Sequence, residues 1–246
     1  MKIIVGISGA SSVHLGIRLA NEILAAGHEV CAIISDGARV TFKSEKAWEY
    51  LSNSRIPKAN LGNSRILNEN LGNSRISNDN LGNSRIPNEN LGNSRIPKAN
   101  LENSRILNEN FLQIEEFLDE KIDIQSNMWD AAASGSSGYE AMIIAPCSSN
   151  TLAKVAAGIC DNLLLRAAAV MLKEQRKLII APREMPFSPL SIKHMNELSG
   201  LGVMFAPPMI AHYSKPKSLN DAENFIIGKW LDCLNIKNNL FKRWKI

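Results

Sequence analysis

The sequence predicts an α/β protein built on a doubly wound parallel sheet. Three observations predict it. Short, continuous apolar runs of strand length recur along the chain. Segments with helical spacing of apolar residues separate them, which fits strands covered on both faces by helices. Loops rich in glycine, serine and threonine follow the runs. The pattern is Rossmann-like, of the flavodoxin-like kind, in a single domain that carries one repetitive insertion.

The first strand is "KIIVGI", Lys2 to Ile7. "VHLGIRLANEILAAG" follows as a helix with Val13, Ile17, Ala20 and Leu24 on one face. "HEVCAIIS" is the next strand. "FLQIEEFLDEKI", residues 111–122, reads as a helix, and "AMIIAP" at 141–146 as a strand. "TLAKVAAG" and "DNLLLRAAAVMLKEQ" are helices, "KLIIAP" at 177–182 a strand and "SIKHMNELSGLG" a helix. A last strand, "VMFAPP", precedes a closing helix from Asp221 to near Leu234.

Between Leu51 and Asn110 stand six near-identical decads of the type "LGNSRIPNEN". Their apolar residues are five apart, which matches neither the 3.6 period of a helix nor the period of a strand. A β-solenoid, a fluctuating helix-turn array and a mobile surface insertion all remain open for residues 51–110. Sparse aliphatics in an Asn/Ser/Arg-rich segment favour the insertion, because they offset little ordering entropy. The main domain is then 1–50 joined to 111–246, and function is to be sought there.

Composition narrows the classes. The chain of 246 residues is 45% hydrophobic and 21% charged, ordinary for a globular protein, with a formal net charge of +4. That excess suits an anionic substrate but is too diffuse for nucleic acid. Four cysteines form no C-x-x-C pair, so neither a disulfide framework nor a zinc site is expected, and no metal. No apolar run approaches the ~18 residues of a membrane span, and the N-terminus acquires Ser8, Gly9 and His14 too soon for a signal peptide. A cytoplasmic protein is the expectation.

In doubly wound sheets ligands bind beyond the carboxyl ends of the strands. The segments found there are Ser8-Gly9-Ala10-Ser11-Ser12, then Ser35-Asp36-Gly37 with Glu45 further on, then Cys147-Ser148-Ser149-Asn150-Thr151, then Arg183-Glu184, and last His212-Tyr213. Small residues before a helix start let an anion meet free N–H groups. Simple helix capping by Ser and Thr is the plain alternative. Neither loop is G-x-G-x-x-G or a Walker sequence, which weakens dinucleotide and ATP readings. Arg166 and Lys173, seven apart, share one helix face among apolar neighbours, where snorkelling to solvent is the competing explanation. Lys229 shares a stripe with Ala222, Ile226 and Cys233.

"GISGASS", "APCSSNTLAKVAAGICDNLLLRAAAVMLKE", "REMPFS" and "HYSKPKSLNDAENFIIGKWLD" together resemble the UbiX-like flavin prenyltransferases over 1–50 and 111–246. The resemblance implies reduced FMN as acceptor and dimethylallyl phosphate as donor, a metal-free reaction, and prenylated FMN as product for a UbiD-type decarboxylase. It also implies a homo-oligomer, a dodecamer with sites at subunit contacts. Matched by motif, Gly9, Ala10, Ser11 and Ser35 hold FMN, Ser148, Ser149, Asn150 and Thr151 its phosphate end, and Arg183 also contacts it. Lys173, Tyr213 and Lys229, with Arg166 beside them, match the group that binds the donor phosphate. Ser11, Glu45 and Glu184 match the polar residues nearest the reacting atoms. Trp129 matches an aromatic near the prenyl group, although its spacing to "SGSS" is not quite the family's.

Two positions depart from the pattern. Ser12 stands where the family has glycine, and Lys229 where it has arginine, which keeps the charge but loses the planar fork. Two other readings stay open on sequence: an FMN-dependent decarboxylase of the phosphopantothenoylcysteine type, whose asparagine-methionine motif is replaced by "REMPFS", and a flavin-binding protein without catalysis.

Overall fold

The computed structural model describes residues 1–51 and 113–244. The repeat block, beyond Leu51, and the expectations for it lie outside the described residues. Six strands form one parallel sheet in the order β3-β2-β1-β4-β5-β6. These are β1 (Lys2–Ile7), β2 (Glu29–Ile34), β3 (Asp123–Gln125), β4 (Ala141–Cys147), β5 (Lys177–Pro182) and β6 (Met204–Phe205). The helices are α1 (Val13–Ala25), α2 (Asp36–Ser44), α3 (Trp48–Leu51), α4 (Ser149–Ala156), α5 (Leu163–Lys173), α6 (Pro189–Gly200) and α7 (Leu219–Cys233).

Side chains that alternate along a strand go to opposite faces. Ile3, Val5 and Ile7 therefore join α1 and α7 in one core, with Ile17, Ile23, Phe42, Ile227 and Trp230. Ile4 points the other way, into a second core with Met142, Ile144, Leu164, Val170 and Met171 of β4 and α5. Both faces being covered explains why the strands read as unbroken apolar runs. Gly16 is what lets α1 lie close on β4: a Cβ there would stand 2.2 Å from the Ala145 carbonyl oxygen.

Two expected elements are different. Residues 111–122 were expected to be helical, but the described part makes only a 3-10 turn, Ile114–Phe117, before β3, a strand the sequence reading lacked. Ile114, Phe117, Leu118 and Ile122 are all buried, so the apolar spacing was real. The helix is cut because Asn21 of α1 captures the backbone, donating from Nδ2 to the Phe117 carbonyl (2.9 Å) and accepting from the Asp119 N–H (3.0 Å). Asp119 then accepts from the Lys121 N–H, a local turn that competes with helix. The last strand is shorter than "VMFAPP", only Met204–Phe205; Pro207 and Pro208 lack the N–H a ladder needs. Residues 36–44, for which the sequence pattern suggested no element, form α2 behind the Ser35 cap.

A buried charge cluster joins α1 to α7. Glu223 Oε2 accepts from Arg18 Nη1 at 2.6 Å, and Glu223 Oε1 lies 2.9 Å from His14 Nε2. All three side chains are at least nine-tenths buried, and the His14 ring stacks on Tyr50 at 4.9 Å. Removing one partner of such a cluster leaves an uncompensated buried charge. Glu223→Ala should therefore cost about 3–5 kcal/mol, read as a fall in the urea midpoint. A loss under about 1 kcal/mol, the range of exposed ion pairs, would show that water reaches the cluster.

Candidate functional site

The strand order reverses between β1 and β4: the chain builds outward through β2 and β3, then returns to start the other half at β4. Helices leaving β1 and β4 cover opposite faces, so their loops part and leave a crevice at this switch point. The crevice is walled by Ser8–Ser12 and Ser148–Thr151, with Ser35–Gly37 beyond the end of the adjacent β2. Pairing of Ile7 with Ile34 and of Gly6 with Ile144 keeps these strand exits level.

Ser8, fully buried, ties the two loops together. Its hydroxyl donates to the Pro146 carbonyl at 3.1 Å and accepts from the Ser148 N–H at 2.8 Å, while its own N–H donates to Pro146 at 3.2 Å. Gly9 then passes so close to Gly37 that a Cβ on it would lie 2.7 Å from the Gly37 carbonyl carbon. The Ala10 N–H turns back to the Ser8 carbonyl at 2.8 Å. Ser35 caps α2 by accepting from the Ala38 N–H at 3.2 Å. Ser148 caps α4, accepting from the Thr151 N–H at 3.2 Å and donating to Thr151 Oγ1 at 3.0 Å. Capping and free first-turn donors therefore coexist here. Ser148 and Thr151 are occupied by the cap, and the first-turn amides of Ser149 and Asn150 remain as donors of the kind a phosphate takes.

Ser12, the N-cap of α1, has φ 72° and ψ 36°. This left-handed conformation is natural for glycine and costs other residues about 1–2 kcal/mol. It explains why the sequence pattern favours glycine at this position. The strained residue has a use: its N–H donates to Glu45 Oε2 at 3.1 Å, tying the end of α2 to the first loop. Glu184 is held from the other side, by the Ser149 hydroxyl on Oε2 at 2.9 Å and the Met185 N–H on Oε1 at 3.3 Å. Arg183 is fixed through its backbone N–H to the Cys147 carbonyl at 2.9 Å. Beside Arg183 and Glu184 opens an apolar cavity of about 460 Å³, lined also by Met185, Pro186, Phe187, Pro207, Pro208 and Met209. Burial pushes the Cys147 thiol well above its ordinary value, so it is a packing group and not a nucleophile.

The four residues matched to the donor phosphate do not come together in one chain. Arg166, in the first turn of α5, donates from Nε to the Ala133 carbonyl at 3.1 Å. Lys173 lies about 10 Å further along that helix, at 1.5 Å per residue, paired with Glu174. It precedes the start of β5, so it sits at the sheet edge opposite the crevice and not near the loops as expected. Lys229 is 3.6 Å from Asp232, whose carboxyl the Arg243 guanidinium holds below the usual carboxylate range. One turn earlier on α7, Phe225 meets the Tyr213 ring edge-on at 5.6 Å. Tyr213 and Lys229 thus share one surface, separate from Lys173. Trp129 is 83% exposed in the turn after β3. Among the described residues no three His, Cys, Asp or Glu side chains cluster as metal ligands would.

Sequence reading missed Ser8 as a structural residue, although a serine ending a buried apolar run was a usable signal. It also missed the partners of the two carboxylates, which no local pattern marks.

Two substitutions test this geometry. Ser8→Ala leaves the Ser148 N–H without its partner and removes one of the two donors on the Pro146 carbonyl, and should lower stability by about 1–3 kcal/mol while weakening FMN binding; equal FMN affinity would mean the loops are set without the serine. Ser12→Gly should raise stability by about 1 kcal/mol by relieving the left-handed strain. A lower thermal midpoint for that variant would contradict the assigned conformation.

Residues 1–230 match the Flavoprotein family model. A flavin prenyltransferase UbiX of Campylobacter jejuni is 41% identical over 245 residues, spanning 100% of this chain and 99% of that protein. Among solved structures, a dodecameric FMN-dependent UbiX-like decarboxylase from Escherichia coli superposes with a TM-score of 0.67 at 26% identity, with all of both chains covered. AnUbiX, solved with FMN and dimethylallyl pyrophosphate, shares the fold at TM-score 0.68 and 24% identity, over 99% of this chain and 97% of that one. With full-length identity at this level on a sheet whose switch-point loops have this form, the chain belongs to the flavin prenyltransferase UbiX family of flavoproteins.

Proposed function

We propose that this chain is a flavin prenyltransferase that moves a dimethylallyl group from dimethylallyl monophosphate to reduced FMN. The observation that carries the reading is the gathering of three hydroxyl-bearing, small-residue loops and two separately anchored carboxylates, Glu45 and Glu184, at one sheet edge. The residues fit a flavin mononucleotide. The Gly9–Gly37 contact gives a floor without side chains, and the α4 start offers amides to a phosphate. When bound, FMN supplies the nucleophilic nitrogen and neighbouring carbon that accept the allyl group.

The chain's own groups then have distinct tasks. Gly9, Ala10, Ser11, Ser35 and the amides at Ser149 and Asn150 orient the flavin, with Arg183 beside them. Arg166, Lys173, Tyr213 and Lys229 stabilise charge on the departing phosphate, where fixed cations are worth most in a site closed to water. Glu184 takes and returns a proton at its carboxylate oxygens, with Ser11 Oγ as relay and Glu45 fixing the opposite side. The apolar cavity beside Glu184 suits a hydrocarbon group that must be kept dry.

Lys173 at the far edge of its own sheet supports a site completed by other copies of the chain, hence a homo-oligomer and, on the pattern of the Escherichia coli relative, a dodecamer. The product would serve a UbiD-type decarboxylase in the cytoplasm; no helix among the described residues is long and apolar enough to cross a membrane. The test is anaerobic incubation of the full chain with reduced FMN, dimethylallyl monophosphate and excess chelator, with flavin mass as the readout. A gain of one isoprene unit is expected. Unmodified FMN, or product only after a divalent ion is added, would overturn the reading.

A further inference from the structure

We infer that the Ser149 side chain positions Glu184, and that its hydroxyl, unlike its backbone amide, is not a ligand of the flavin phosphate. Three hydroxyls stand at the start of α4, and they are used differently. Those of Ser148 and Thr151 are bonded to each other and close the cap. Ser149, the first residue inside the helix, is not needed for the cap and directs its hydroxyl away, to Glu184 Oε2 at 2.9 Å. An ionised carboxylate only accepts hydrogen bonds, so the serine proton is committed to Glu184 and is not free for a phosphate oxygen.

The pairing of β4 with β5 makes this contact possible. Cys147 lies opposite Pro182, and the Arg183 N–H reaches the Cys147 carbonyl at 2.9 Å. The two chains therefore leave the sheet side by side, one into α4 and the other into Arg183-Glu184. With the Met185 N–H on Oε1, each carboxylate oxygen has one donor. A glutamate in an exposed loop has three rotatable side-chain bonds; two donors on separate oxygens fix where its proton is delivered. Charge-assisted bonds of this kind are the stronger ones, and small misplacements of a reacting group are costly in rate.

The inference rests on the reading of Glu184 as proton carrier, and the experiment separates the two. Single-turnover prenyl transfer is measured with the full chain for Ser149→Ala, Ser149→Thr, Glu184→Gln and the double variant, together with FMN and dimethylallyl monophosphate affinities. Ser149→Ala should slow transfer by about 10-fold with both affinities within about twofold of the parent, while Ser149→Thr, which keeps the hydroxyl, restores most of the rate. In the Glu184→Gln background Ser149→Ala should add nothing further, since residues acting as a unit are not additive. An undiminished Ser149→Ala rate, additive losses, or FMN affinity falling in step with the rate would overturn the inference. Glu184→Gln at full rate would remove the proton-carrier role first, and this inference with it.

Discussion

The buried hydroxyl of Ser8 holds together two loops that belong to opposite halves of the sheet. It gives to the Pro146 carbonyl and takes from the Ser148 N–H, so both loops are satisfied at the point where they would otherwise have parted. A crevice at a strand-order reversal necessarily exposes backbone polar groups that no ladder can use. Serine is well suited to the position, since one small side chain is both donor and acceptor. Everything nearer the ligand is referenced to this link: Gly9 can lie on Gly37 and Ser148 can cap α4 because the two strand ends are fixed relative to each other.

Around that link the chain places its two carboxylates by different means. Glu45 is reached by the backbone N–H of Ser12, a residue in a left-handed conformation. Glu184 is reached by a side-chain hydroxyl from the neighbouring loop. Backbone strain persists where the surrounding structure over-determines the conformation. Here the surrounding structure is α1, held against β4 by the absence of a side chain at Gly16 and against α7 by the Glu223 cluster.

The residues matched to the donor phosphate are organised at another level. Arg166, Lys173 and the Tyr213–Lys229 surface occupy separate places in the protomer because α5 and α7 run back along the sheet from its ligand edge to its opposite edge. Arg166 and Lys173 stand about 10 Å apart along an α5 axis that leads away from the crevice.

Legibility differed by the kind of information each element needs. The apolar runs of β1, β2, β4 and β5 and the helical spacing of α1, α5 and α7 are local, and the sheet class followed from them. So did the placement of Ser11, Ser35, Ser148, Arg183 and Glu184 at strand ends, since chain direction in a parallel sheet is fixed by connectivity. Ile114 to Ile122 carried a true helical spacing, yet Asn21, nearly a hundred residues away, took the backbone groups that a helix would have used. The sequence by itself determined which residues face a core and which follow the strand ends, because apolar period and the succession of elements along the chain are local. Only the tertiary structure decided that Ser8 joins the loops, that Ser149 serves Glu184, and that Lys173 stands far from both. Those outcomes depend on strand register and helix direction, which bring distant residues within 3 Å or separate motif neighbours, and no local pattern encodes them.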